Sequence, residues 1–143
     1  MSNRGILLWH VNADPSINRI IEALEGRWGL DALWIFGSRA SGTARSDSDV
    51  DVAALFRTRP TPVELFAFRG ELEQIAGMPV DIIDLEGASP ILAMQVLRLG
   101  KLLVDACPSR RINFVAHLPG RYEDLKRIRE PIERALLKRV THG

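Results

Sequence analysis

Two aspartates separated by one residue, Asp49 and Asp51, carry the strongest chemical signal in the sequence. Side chains at i and i+2 of a β-strand share a face, so in a strand running on to Phe56 the two carboxylates are expected to project side by side. Two unpaired carboxylates repel each other, and burial makes their ionised forms costly. A divalent cation resolves the conflict. Hard oxygen ligands favour magnesium, which commonly takes one or two carboxylates plus substrate phosphates. Taken alone, an Asp-x-Asp pair is ordinarily two solvated acids on a strand edge. Upstream, however, lies Phe36-Gly37-Ser38-Arg39-Ala40-Ser41-Gly42. Glycine there lets a ligand approach the backbone, while free N–H groups and the Ser38 hydroxyl can cradle a phosphate. Arg39 and Arg45 add charge for phosphate oxygens. A Gly-Ser pair by itself marks a turn. A strand, Gly-Ser, ten residues and Asp-x-Asp in a second strand form a much more specific combination.

The elements that must position these residues are legible. Asp14-Pro15-Ser16 reads as a capped start for a helix carrying Ile17, Ile20, Ile21, Leu24 and Trp28. Leu33–Phe36 predicts a buried strand, Gly37–Ser48 a loop that includes a short helical turn as one option, and Val50–Phe56 a second strand. Thr61-Pro62 opens a helix to about Ala76, and Val80–Leu85 predicts a third strand. Ser89-Pro90 starts a helix that stops at Gly100, and Lys101–Ala106 a fourth strand. From Arg110, apolar residues at intervals of three and four predict one long amphipathic helix, kinked at Pro119-Gly120 and with Pro131 a second candidate kink. Strands separated by helices give an α/β fold class: a small mixed sheet with flanking helices and a C-terminal helical arm.

At 143 residues, 46% hydrophobic and 26% charged, the chain fits one ordered domain with one core. We read residues 1–143 as a single domain, with a core at 16–107 and a helical extension at 108–143. No apolar run approaches the roughly 20 residues that span a bilayer, and no secretory leader is evident, so a cytoplasmic location is expected. A single cysteine, Cys107, excludes an intramolecular disulfide and a cysteine-built zinc site. The net charge of +1 divides into about −4 over residues 1–107 and +5 over 108–143. A basic tail suits an anionic partner or equally forms a solvated helix face. His10, His117 and His142 share no ligand spacing, and Trp28 and Trp34 read as core rather than as base-stacking residues.

Gly37-Ser38-x-Ala40-x-Gly42 followed by Ser48-Asp49-x-Asp51-Val52 resembles the signature of the DNA polymerase β-like nucleotidyltransferase superfamily, most closely its minimal MNT branch. The segments Ser89-Pro-Ile-Leu and Gly100-Lys-Leu-Leu, with Phe114, Tyr122, Leu125 and Arg129, extend the resemblance to the MntA-type antitoxins of HEPN–MNT toxin–antitoxin pairs. That resemblance implies a third carboxylate, matched by Asp81, and leaves Asp84 facing away as a capping or surface residue. It implies Asp49, Asp51 and Asp81 as catalytic metal ligands for Mg2+, with Mn2+ an alternative. It also implies Gly37, Ser38, Arg39 and Ser48 as the nucleotide-binding set. The implied reaction transfers AMP from ATP to a tyrosine of a partner HEPN ribonuclease toxin. Asp81 serves there as general base or as metal ligand alone. Neither a membrane nor direct nucleic-acid binding is expected. Two other functions stay open: an antitoxin acting by binding alone, and transfer to a small hydroxylated molecule.

Overall fold

The computed structural model describes residues 14–37 and 49–142, the last three without their side chains. Among these residues four helices and four strands alternate as α1 (Pro15–Arg27), β1 (Leu30–Phe36), β2 (Val50–Phe56), α2 (Pro62–Ala76), β3 (Val80–Asp84), α3 (Pro90–Leu99), β4 (Lys101–Asp105) and α4 (Pro108–His142). The helix starts follow the expected chemistry. Asp14 accepts from the Ser16 N–H, Thr61 and Glu64 form a reciprocal capping box, and Ser89 accepts from the Leu92 N–H, each just ahead of a proline at N1.

The sheet is mixed, in the order β3-β2-β1-β4. β1 pairs antiparallel with β2 and β4, whereas β2 and β3 run parallel, joined by α2 as a parallel pair requires. Alternation along the strands builds two apolar layers. Val50, Val52, Ala54 and Phe56 face α1 and α2, with Trp28 packed edge-on to both Phe56 and Phe68. Ala53 and Leu55 face the other way, toward Ala93 and Val96 of α3 and Leu118 of α4, joined by Ala32 and Trp34 of β1. Both tryptophans are therefore core residues.

Two expectations are corrected. β1 begins at Leu30 rather than Leu33, because Asp31 does not end the strand: it is buried and ion-paired. α4 begins at Pro108 rather than Arg110, and is the one long helix expected, with Pro119 and Pro131 inside it. Its first three turns complete the core through Leu118 and Phe114. Beyond Leu125 its side chains are exposed, including Ile128 at 66% and Ile132 at 58%, so that half of the apolar stripe does not pack on its own sheet.

Candidate active site

The carboxylates meet because of register. Asp51 of β2 lies opposite Phe36 of β1 and opposite Asp81 of the parallel strand β3, which places the two acids side by side across neighbouring strands. By alternation both share the face of Ala53, Leu55 and Ile83, at the end of that layer. Asp49 precedes β2 by one residue and is exposed, so strand alternation is not what places it beside Asp51. It is nonetheless near enough for its charge to act there. Burial, then the charges of Asp81 and Asp49, hold the Asp51 carboxyl above the ordinary aspartate range.

Gly37 closes the geometry from β1. Its φ of 74° is the left-handed conformation that favours glycine, and a Cβ on it would run into Asp51 Oδ2. Ser38, Arg39, Arg45 and Ser48 lie outside the described residues.

Arg69, eight residues into α2, donates from Nη2 to Asp81 Oδ1 at 2.8 Å. Nothing in the sequence singles it out, because the pairing depends on how α2 lies against β3. The two side chains are 38% and 50% exposed, and an ion pair so placed contributes only about 0–1 kcal/mol to stability. Asp84 turns elsewhere, accepting from Arg59 Nε and the Glu86 N–H, as the alternation of β3 expects.

Three hard-oxygen donors around one repelling pair have the chemistry to hold a divalent cation. Among the described residues no group of three or more His, Cys, Asp or Glu side chains is placed so that it could hold a metal ion without further ligands.

Residues 18–108 match the family model described as Polymerase beta, Nucleotidyltransferase. The chain belongs to this nucleotidyltransferase family. The protein adenylyltransferase MntA of Shewanella oneidensis is 32% identical over 87 residues, covering 60% of this chain and 63% of that protein. The match thus spans less than two thirds of that relative. MntA of Thermococcus cleftensis is 32% identical over 75 residues, covering 52% of this chain and 76% of its own length. Among solved structures, a toxin–antitoxin with AMP-PNP superposes with a TM-score of 0.71 at 27% identity, over 84% of this chain and 97% of that one. An MntA–HepT toxin–antitoxin superposes at 0.68 and 24% identity, over 85% and 97%, which speaks to fold alone. The four-stranded mixed sheet with its long C-terminal helix is the nucleotidyltransferase fold of this family.

The remaining residues of the nucleotidyltransferase sort into structural roles. His117 is exposed and bonded through Nδ1 to the Asn113 carbonyl, and Cys107 is half-buried beside Ser109. His10 lies outside the described residues, and the His142 side chain is not described. Tyr122, Leu125 and Arg129 line a groove of about 300 Å³ between α4 and Ile91 of α3. Among the described residues, no helix is long and apolar enough to cross a membrane.

Proposed function

We propose that this protein is an antitoxin that transfers AMP from ATP to a tyrosine hydroxyl of a partner HEPN toxin, silencing it in the cytoplasm. The observation that carries this reading is the register that sets Asp51 beside Asp81 while Gly37 abuts the Asp51 carboxylate. The adenylyltransferase relatives support the choice of AMP and of a protein acceptor. The toxin–antitoxin likeness with AMP-PNP supports ATP and the toxin partner.

In this reading Asp49, Asp51 and Asp81 hold Mg2+, which would offset the charge of the carboxylates and of the triphosphate. Gly37 leaves the space, and with Ser38, Arg39 and Ser48 grips the phosphates. The acceptor oxygen attacks the α-phosphorus in line, a new P–O bond forms, and the bond to pyrophosphate breaks. The acceptor's proton passes to a carboxylate. Asp81 is the carboxylate offered for that role, or serves as metal ligand alone. The core at 16–107 supplies the chemistry, and the extension at 108–143 supplies part of the partner surface.

The test is transfer of α-labelled ATP to the co-encoded neighbour, wild type beside Asp49→Ala. Label on one small helical protein with wild type alone is the expected outcome. Tight binding of that neighbour with no label would replace this reading with neutralisation by binding alone.

The exposed half of α4 yields a separate expectation. Cutting at Pro108 would strip Leu118 from the core, whereas stopping after Lys126 removes only solvent-facing turns. A chain ending at Lys126 should melt within a few degrees of full length yet bind the toxin at least about tenfold more weakly, the loss expected when a central apolar anchor is removed. Unchanged affinity in a titration calorimeter would exclude α4 from the interface.

A further inference from the structure

Resting on the metal-and-triphosphate reading above, we infer that Arg69 is a positioning residue that occupies Asp81 in the resting enzyme and must be displaced or shared when a divalent cation binds. Arg69 Nη2 donates to Asp81 Oδ1 at 2.8 Å, so the guanidinium already holds one of the two oxygens that a cation would use. The pair is half-exposed, a placement in which an ion pair stabilises the fold little, so its consequence falls on the site rather than on folding. The Arg69 Nε is buried without a hydrogen-bond partner, so the inner part of the side chain lies below the surface while its tip meets Asp81.

The three acids are also treated unequally. Asp51 stands opposite Asp81 across the parallel register, and Asp81 already carries the Arg69 guanidinium at 2.8 Å. A cation arriving without nucleotide therefore meets two available carboxylates and one that is engaged. A cation arriving with a triphosphate brings its own further ligands and tolerates the engaged one. The expected behaviour is weak cation binding by the free protein and firm binding only in company with nucleotide. That couples the metal to the substrate and keeps the empty site from filling with metal.

The experiment is a Mn2+ titration of the full chain, read by the electron paramagnetic resonance signal of free Mn2+, without and with a non-hydrolysable ATP analogue. Wild type, Arg69→Met and Arg69→Lys are compared. An ion pair so exposed is worth up to about fivefold in an equilibrium constant. Arg69→Met should therefore bind Mn2+ about threefold to fivefold more tightly without nucleotide and show a smaller gain when nucleotide is added. Arg69→Lys, which restores the charge, should return affinity to nearly that of wild type on the same scale. Equal Mn2+ affinity of wild type and Arg69→Met would overturn the inference, as would weaker binding by Arg69→Met, since Arg69 would then organise the site rather than compete for it. Failure of all three proteins to bind Mn2+, with or without nucleotide, would overturn it together with the metal reading. Firm binding at a site unaffected by Asp51→Asn would do the same. Thermal unfolding of each variant identifies any loss of fold.

Discussion

Asp51→Asn should reduce AMP transfer by about 10³-fold while leaving the melting temperature unchanged or raised. The expected loss is that of removing a preorganised charge from a site where charge is reorganised during the reaction. The stability effect follows from linkage. Burial, Asp81 and Asp49 together raise the folded-state pKa of Asp51 above its unfolded value. A carboxyl so shifted favours the folded state while protonated, and that contribution disappears as pH rises from the unfolded value through the folded one. At neutral pH the ionised Asp51 is therefore a cost that asparagine, with nearly the same shape, removes. The difference in melting temperature between variant and wild type should shrink as pH is lowered into the acidic range. Transfer by wild type should likewise fail at a higher pH than an ordinary aspartate would set. The prediction fails if the variant retains more than a tenth of the activity, or melts several degrees below wild type at neutral pH.

The second large effect is on folding. Arg110→Met should destabilise the protein by about 3 kcal/mol, or about 10 °C in melting temperature for a chain of this size. Arg110 donates from Nη1 to Asp31 Oδ2 and to the Phe56 carbonyl, both at 2.7 Å, and from Nη2 to Glu86 Oε1. It therefore fastens the first turn of α4 to β1, to the end of β2 and to the turn after β3. Asp31 is only 8% exposed, so losing Arg110 leaves a buried carboxylate with the longer Arg57 contact at 3.5 Å in its place. That remaining contact keeps the expected cost toward the lower end for a broken buried pair. Burial works against the Arg110 charge, but the bonds to Asp31 and Glu86 outweigh it, and the guanidinium stays ionised throughout the working range. Chemical denaturation of Arg110→Met, Asp31→Asn and the double variant measures the coupling directly. A loss below 1 kcal/mol for Arg110→Met, or additive effects in the double variant, would show that the pair does not hold the two segments together.

The two predictions separate what one-dimensional reading reaches from what it misses. Helix starts were legible because their chemistry is local. Asp14 with Ser16, Thr61 with Glu64 and Ser89 with Leu92 span two or three residues each, and each cap stands directly before a proline. The strand cores at Val50–Phe56 and Val80–Asp84 were legible from apolar runs bounded by turn residues. The start of β1 was missed because only Arg110, 79 residues away in the sequence, makes Asp31 acceptable inside a sheet. Arg69 was missed for the same reason: its meaning depends on an aspartate in another element.

The sequence by itself offered the groups for the proposed chemistry: Gly37, Asp49 and Asp51 through residue type and spacing, and Asp81 through the family resemblance. The tertiary structure decided how they stand to one another. A parallel register set Asp51 against Asp81, the left-handed Gly37 met the Asp51 carboxylate, and α2 delivered Arg69 to Asp81. The physical reason is range. Caps and strand periodicity come from interactions a few residues long, whereas strand register and ion pairs between elements exist only once the sheet has closed and the helices have packed on it.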